Sequence, residues 1–366
     1  MPSGKYRVAI IGAGAIAGAH QQAYEAQRDR AEIVAVVDVD ADRAKAFATK
    51  HGIAQTYTDV ASMLEQARPD LVSICTPPIA HREAVLACLA AGAWVWCEKP
   101  PVLSLAEYDE LAAAEGPEGP YVGYVFQHRF GSAASTLRKQ IAEKTLGRPH
   151  VAVCHTLWYR DTDYYAVPWR GKWETEGGGP AMGHGIHQMD LMLSLLGDWH
   201  EIRALMGTLD RDVQTEDVSL ASVSFANGAM ASVINSVLSP RQESYLRFDF
   251  DDATVEVSHL YGYDNSNWKW TPRDGVPAET AAGWAPSEDL ASSHVAQLAV
   301  YLDALEAGER PPASGHDGRR TMELVTALYQ SAITGKPVLR SELVPGNPFY
   351  TQLDGGGRYQ PSRLGA

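Results

Sequence analysis

Near the N-terminus, Gly12-Ala13-Gly14-Ala15-Ile16-Ala17 has the makings of a loop that grips a pyrophosphate. The first glycine of such a turn permits a tight bend, the second lets backbone approach the anion, and a small final residue allows close helix-to-strand packing. Unpaired N–H groups at the start of the next helix favour negative charge, and Ala15 and Ile16 stand there. Asp38 lies at the distance where a carboxylate bonds the adenosine ribose diol and repels a 2′-phosphate, which predicts NAD over NADP. Arg43, a helical turn further on, softens that preference and keeps NADP possible.

Two more polar groups close apolar runs. Thr76 and Pro77 with His81 follow one, and Glu98-Lys99-Pro100 follows the next. The carboxyl ends of strands are where an open α/β sheet holds its ligand. Residues 158–173 are dense in aromatic and charged side chains, among them Trp158, Arg160, Tyr165, Trp169 and Arg170. Aromatic faces pack on the C–H faces of a sugar ring while charged groups bind its hydroxyls, although such density also suits plain packing. His184 and His187 are three apart on an expected helix, but without a third ligand no metal is expected.

These groups need a scaffold, and two patterns supply it. Up to residue 126, short apolar runs at Tyr6–Ile11, Glu32–Asp38, Leu71–Cys75, Trp94–Cys97 and Tyr121–Phe126 alternate with helical stretches, the grammar of a doubly wound parallel sheet. From residue 127 strands follow one another directly, with Asn227-Gly228 as a strong hairpin signal and Asp251-Asp252 dividing another alternating pair. The expectation is an α/β chain: a dinucleotide-binding Rossmann domain over 1–126, then an α+β domain over 127–366 with a large, mostly antiparallel sheet. Helices are expected at His294–Ala307 and Arg319–Thr334, and an extended tail from Pro345.

Bulk properties narrow the partners. A formal net charge of −14 disfavours nucleic acid and anionic membranes, both of which need a clustered positive face. No apolar run reaches the length of a membrane span, and the chain enters a strand pattern almost at once, leaving no room for a signal peptide. Cys75, Cys88, Cys97 and Cys154 form no C-x-x-C pair and read as buried thiols in a reducing, cytoplasmic setting.

The order and spacing of these groups resemble the glucose-fructose oxidoreductase, inositol dehydrogenase and rhizopine catabolism (Gfo/Idh/MocA) family. Nearly the whole chain shares the likeness: the glycine-rich turn, Thr76-Pro77 with His81, Glu98-Lys99-Pro100, Gly123–Phe130, Trp169-Arg170-Gly171, Gly177-Gly178-Gly179, Gly185-Ile186-His187 with Asp190, and Tyr329-Gln330-Ser331-Ala332. The resemblance implies an open-faced second sheet, a nicotinamide in the crevice between domains, homodimers or homotetramers built through the sheet, and sugar or polyol substrates.

Moving a hydride from an alcohol carbon requires the hydroxyl proton to leave as well, so a base and a positive charge near the oxygen lower the barrier. The resemblance assigns these parts to Lys99 and His187. It places Gln127, Trp169, Arg170, Glu98 and His81 at the cofactor, and His128, His184 and Asp190 at the substrate, Asp190 serving either substrate hydroxyls or helix orientation. Many relatives carry an aspartate four residues before the histidine, where this chain has Gly183. Either the relay is shortened to Lys99 and His187, or His184 partly replaces the acid, or catalysis has been lost. The leading reading is therefore a nicotinamide-dependent dehydrogenase or reductase of a sugar, polyol or glycoside. The alternatives are a silent NAD(H)- and sugar-binding sensor and a redox-assisted glycoside-cleaving enzyme.

Overall fold

The computed structural model describes residues 4–359; residues 1–3, at the start read as leaderless, and 360–366, the end of the tail, lie outside the described residues. The chain divides into two compact units. The first runs through Val102 and includes Glu107–Val125 and His294–Arg319; the second comprises Leu103–Ala106, Phe126–Ser293 and the residues from Arg320 onward.

The first unit holds six strands: β1 (Tyr6–Ile11), β2 (Ala31–Val37), β3 (Gln55–Tyr57), β4 (Leu71–Ile74), β5 (Trp94–Cys97) and β6 (Val122–Tyr124). All pair in parallel in the order β3-β2-β1-β4-β5-β6, so the winding reverses between β1 and β4. The last four residues of β1 and all of β4 are buried, as strands covered on both faces must be. Asp40 caps the helix Ala41–His51 through the N–H groups of Asp42 and Arg43, and left-handed Gly52 ends it. Strand β3 and the helix Val60–Ala67 were not foreseen; one has three residues and the other eight, too short for periodicity to register. The helix His294–Ala307, far away in sequence, belongs here: its Leu298, Tyr301, Leu302 and Leu305 share a core with Val8, Tyr24, Leu71 and Trp96.

The second unit is built on eight strands: β7 (Pro149–Tyr159), β8 (Trp199–Gly207), β9 (Val218–Phe225), β10 (Met230–Ser236), β11 (Leu238–Phe250), β12 (Ala253–His259), β13 (Trp268–Pro272) and β14 (Val338–Leu339). Their order is β13-β12-β11-β7-β10-β9-β8-β14, antiparallel except where β7 meets β10. The Asn227-Gly228 hairpin forms as expected, Gly228 taking φ +91°. Along β7 the residues Ala152, Cys154, Thr156 and Trp158 are buried, whereas Val151 is 48% exposed. Leu205, Leu220 and Met230 are likewise exposed, so one sheet face is uncovered in this chain.

The tail departs from the extended form expected from Pro345. Asn347 caps a turn at Pro348–Thr351, and Phe349, Tyr350 and Leu353 are buried, so apolar burial and a side-chain cap override the proline and glycine content. All four cysteines are free and buried, and burial pushes the Cys88 thiol up to about 12. Among the described residues no helix is long and apolar enough to cross a membrane.

Candidate active site

In the first unit the site is made largely of backbone. Gly12 has φ +93°, and a Cβ there would lie 2.9 Å from the carbonyl of Cys75 at the end of β4, so only glycine fits. Gly14 has open space where a side chain would be, and Gly14 and Ala15 are exposed ahead of the helix Ala17–Ala26, for which Ile16 is the N-cap. Asp38 ends β2 and is buried; its Oδ2 accepts the Ala13 N–H at 2.9 Å and its Oδ1 the Asp40 N–H at 3.0 Å. Arg43 Nη1 lies 3.2 Å from Oδ1, so the arginine neutralises this carboxylate. The Thr76 hydroxyl, just beyond β4 and next to Pro77, is buried with no hydrogen-bond partner. An open glycine cradle, a strand-end carboxylate and an orphaned hydroxyl beside the reversal of winding fit a dinucleotide.

Two expected cofactor ligands instead brace the loop that carries Lys99. His81 is fully buried, with Nδ1 2.9 Å from the Pro100 carbonyl and Nε2 2.9 Å from the Thr76 carbonyl, so its polar atoms are committed to backbone. Glu98 is turned into the unit: Oε1 lies 3.1 Å from His20 Nε2 and 3.0 Å from His294 Nε2, and Oε2 accepts the Lys99 N–H at 3.1 Å. Burial opposes its charge, but the bonds to His20 and His294 outweigh it and hold the carboxyl well below the usual carboxylate range. These three side chains gather within the spacing a metal would need, yet the two short contacts are those of hydrogen bonds. Lys99 itself is half-buried and joined to Pro100 by a cis peptide.

In the second unit the site is made of side chains. A π-helical turn, Ala181–Gly185, leads into the helix Ile186–Leu196. Glu216 anchors that entry: it accepts the N–H groups of Gly179 at 2.9 Å and Ala181 at 3.1 Å and the Tyr329 hydroxyl at 3.0 Å. Burial pushes its carboxyl up to about 7 against the pull of these donors. A side chain at Gly179 would collide with the Glu216 carbonyl, which is why the turn needs glycine there.

His187 is buried and stacks on His128, ring centroids 5.0 Å apart. Tyr261 lies 5.2 Å from His128 and 5.6 Å from His187, and Tyr263 lies 4.6 Å from His128. Gln127, expected at the cofactor, donates to the Tyr261 hydroxyl. Next to this group His184 stands 5.0 Å from Trp158, its Nε2 3.2 Å from the Tyr164 hydroxyl. Arg160 lies over Trp158 at 4.8 Å and Tyr164 at 5.3 Å, and Tyr165 meets Tyr164 edge-on at 5.0 Å. Arg170 covers Tyr164 at 3.8 Å and Trp169 at 4.3 Å. Of the two roles expected of Asp190, the one at substrate hydroxyls is not met: Asp190 is fully buried, paired through both oxygens with Arg129 and bonded to Thr321 Oγ1 at 2.8 Å. Its acceptors orient the helix and are not presented to substrate.

Comparison with known proteins agrees with both halves. Residues 6–124 match the model of the oxidoreductase family with an NAD-binding Rossmann fold, and residues 134–258 match the GFO/IDH/MocA C-terminal domain. The chain belongs to the Gfo/Idh/MocA family. D-glucoside 3-dehydrogenase of Escherichia coli is 30% identical to it over 362 residues, covering 92% of this chain and 98% of the relative. D-apiose dehydrogenase of Paraburkholderia graminis is 28% identical, covering 96% of this chain and 94% of the relative. The crystal structure of the WlbA dehydrogenase of Bordetella pertussis, in complex with NADH and UDP-GlcNAcA, superposes with a TM-score of 0.81 at 25% identity, covering 92% of this chain and 98% of that one.

This Gfo/Idh/MocA oxidoreductase is thus an NAD-dependent enzyme acting on CH–OH groups. Sequence reasoning missed His20, His294, Tyr164, Glu176, Glu216, Tyr261 and Tyr263, and it expected Arg129 to border the nicotinamide, whereas the structure pairs that side chain with Asp190. Tyr164 stood inside the aromatic segment and Glu176 directly before the three glycines, a usable signal; the others are joined to the site only by folding.

Proposed function

We propose that this enzyme oxidises a secondary hydroxyl of a sugar, polyol or glycoside, with Lys99 and His187 handling the proton. The observation that carries the reading is the stacked His128–His187 pair walled by Tyr261 and Tyr263, with Trp158 edge-on to Tyr261. Aromatic faces there receive C–H surfaces, while Arg160 and His184 offer donors to hydroxyls. The names of the glucoside and apiose dehydrogenases support a carbohydrate substrate.

Bound NAD supplies the hydride acceptor; Gly12, Gly14, Asp38 and Thr76 would hold it. As the carbon–hydrogen electron pair leaves, the hydroxyl proton passes to the His187 imidazole, and the Lys99 ammonium stabilises the developing alkoxide. Glu98 and His81 keep the Lys99 backbone in place through the bonds described above. The exposed sheet face carrying Leu205, Leu220 and Met230 supports association into a homodimer or homotetramer, and the free thiols support a cytoplasmic setting.

The test is a panel of glucosides, free aldoses, polyols and sugar nucleotides incubated with NAD and followed by NADH absorbance. Substrate-dependent NADH formation is the expected result. Released aglycone without NADH would replace this reading with redox-assisted cleavage, and tight sugar binding without any turnover would replace it with a sensor.

A further inference from the structure

Gly183 lies in the turn that carries His184 and leads to His187, and it contributes no side chain. The room one would use is filled from elsewhere. A Cβ built on Gly183 would touch Glu176 Oε1 at 3.5 Å, an ordinary van der Waals distance. Glu176 is 5% exposed and closes the short helix Trp173–Glu176 immediately before the three glycines. It is held from two sides: the Gly171 N–H donates to Oε2 at 2.6 Å, and Arg170 Nη1 lies 3.3 Å from Oε1. The same Arg170 nitrogen donates to the Tyr164 hydroxyl, which stands 3.2 Å from His184 Nε2. Glu176, Arg170, Tyr164 and His184 form a single chain of polar contacts that starts beside the Cα of Gly183 and ends on its neighbour.

A buried carboxylate is costly unless it is paired and hydrogen-bonded, and Glu176 meets both conditions through groups that also surround His184. We propose that Glu176 supplies, from the segment before the helix, the carboxylate that residue 183 lacks. It acts as a positioning residue: through Arg170 it keeps Tyr164 on His184, and it sets a negative charge at the far end of the polar chain that reaches that imidazole. Tyr164 is bonded to His184 and Trp158 of β7 faces it as an uncharged ring; Arg160 and Arg170 lie over Tyr164, and Glu176 is joined to His184 through Arg170 and Tyr164. Of these only Glu176 is negative. The proposal rests on the reading of His187 as the acid/base, and it removes the motive for a catalytically silent protein.

The experiment is a double-mutant cycle of Glu176→Gln and Gly183→Asp in the NAD-loaded enzyme. Two readouts are used: the pH profile of kcat/KM with methyl β-D-glucopyranoside, and NMR titration of the His184 and His187 imidazoles, which needs no turnover. Removing the charge while both arginines remain disfavours the protonated imidazole, so Glu176→Gln should lower the His184 titration midpoint by about one unit and kcat/KM about tenfold. Gly183→Asp alone sets two carboxylates together and should cost more. The double variant should lose less than the two single losses combined, because the acid is then restored from the helix and meets an amide in place of a second carboxylate. Glu176→Asp, which keeps the charge, should titrate like the parent. A Glu176→Gln enzyme with the parent's titration, single effects that simply add, or an equal shift in Glu176→Asp would each overturn the proposal. Parental titration coupling with no oxidation of any sugar would overturn the redox reading alone.

Discussion

The two units hold their candidate site groups in place by different means. In the first, backbone does it: a glycine at φ +93° against the end of β4, N–H groups at a helix start, and a lysine on a loop tied down by carbonyls and a buried glutamate. In the second, side chains from residues 128, 158, 164, 187 and 261 stand on separate stretches of the chain and meet only through folding. A backbone site tolerates change in the side chains around it and fails at the glycine. A side-chain site fails wherever a buried partner is removed.

The largest effect expected from this contrast is at Arg129. Replacing it with Met strands the Asp190 carboxylate in the interior, a loss of about 3–5 kcal/mol, and chemical denaturation should show it with NAD absent. A midpoint unchanged from the parent would break the contrast on the second unit's side. Gly12→Val comes next: strain at positive φ and a Cβ against the Cys75 carbonyl should weaken NAD binding at least ~10²-fold by calorimetry. Asp38→Ala should weaken NAD by about 1–2 kcal/mol and narrow its advantage over NADP, as Arg43 is then released; equal loss for both cofactors would contradict the role given to the carboxylate.

The smallest effect is one of pH. Glu216 is raised to about 7 by burial, so the stability it contributes is present in full below its ordinary value near 4.5 and is lost as pH rises through about 7. Thermal melts should therefore fall more between about pH 5 and about pH 8 in the parent than in Glu216→Gln. Parallel curves would show that the three donated hydrogen bonds, and not burial, dominate.

The same contrast explains what could be read in advance. The parallel sheet, the glycine turn, Asp38 and the Lys99 loop were legible because each is a local pattern: a run of buried residues, a spacing, a strand end. The Asn227-Gly228 hairpin was legible for the same reason. Glu98 and His81 were found at the right place with the wrong contacts, since a sequence shows that a side chain leaves a strand end and not which way it turns. His20 and His294 were invisible, being 274 residues apart yet bonded to one carboxylate oxygen. Asp190 looked available because its partner Arg129 lies 61 residues away on another element.

Single-turnover kinetics on Lys99→Ala and His187→Ala test the central claim most directly, with NAD affinity measured alongside. The account predicts that hydride transfer slows at least ~10²-fold in each while NAD binds as in the parent, as loss of proton transfer and alkoxide stabilisation requires. Parental hydride-transfer rates in both variants would contradict it.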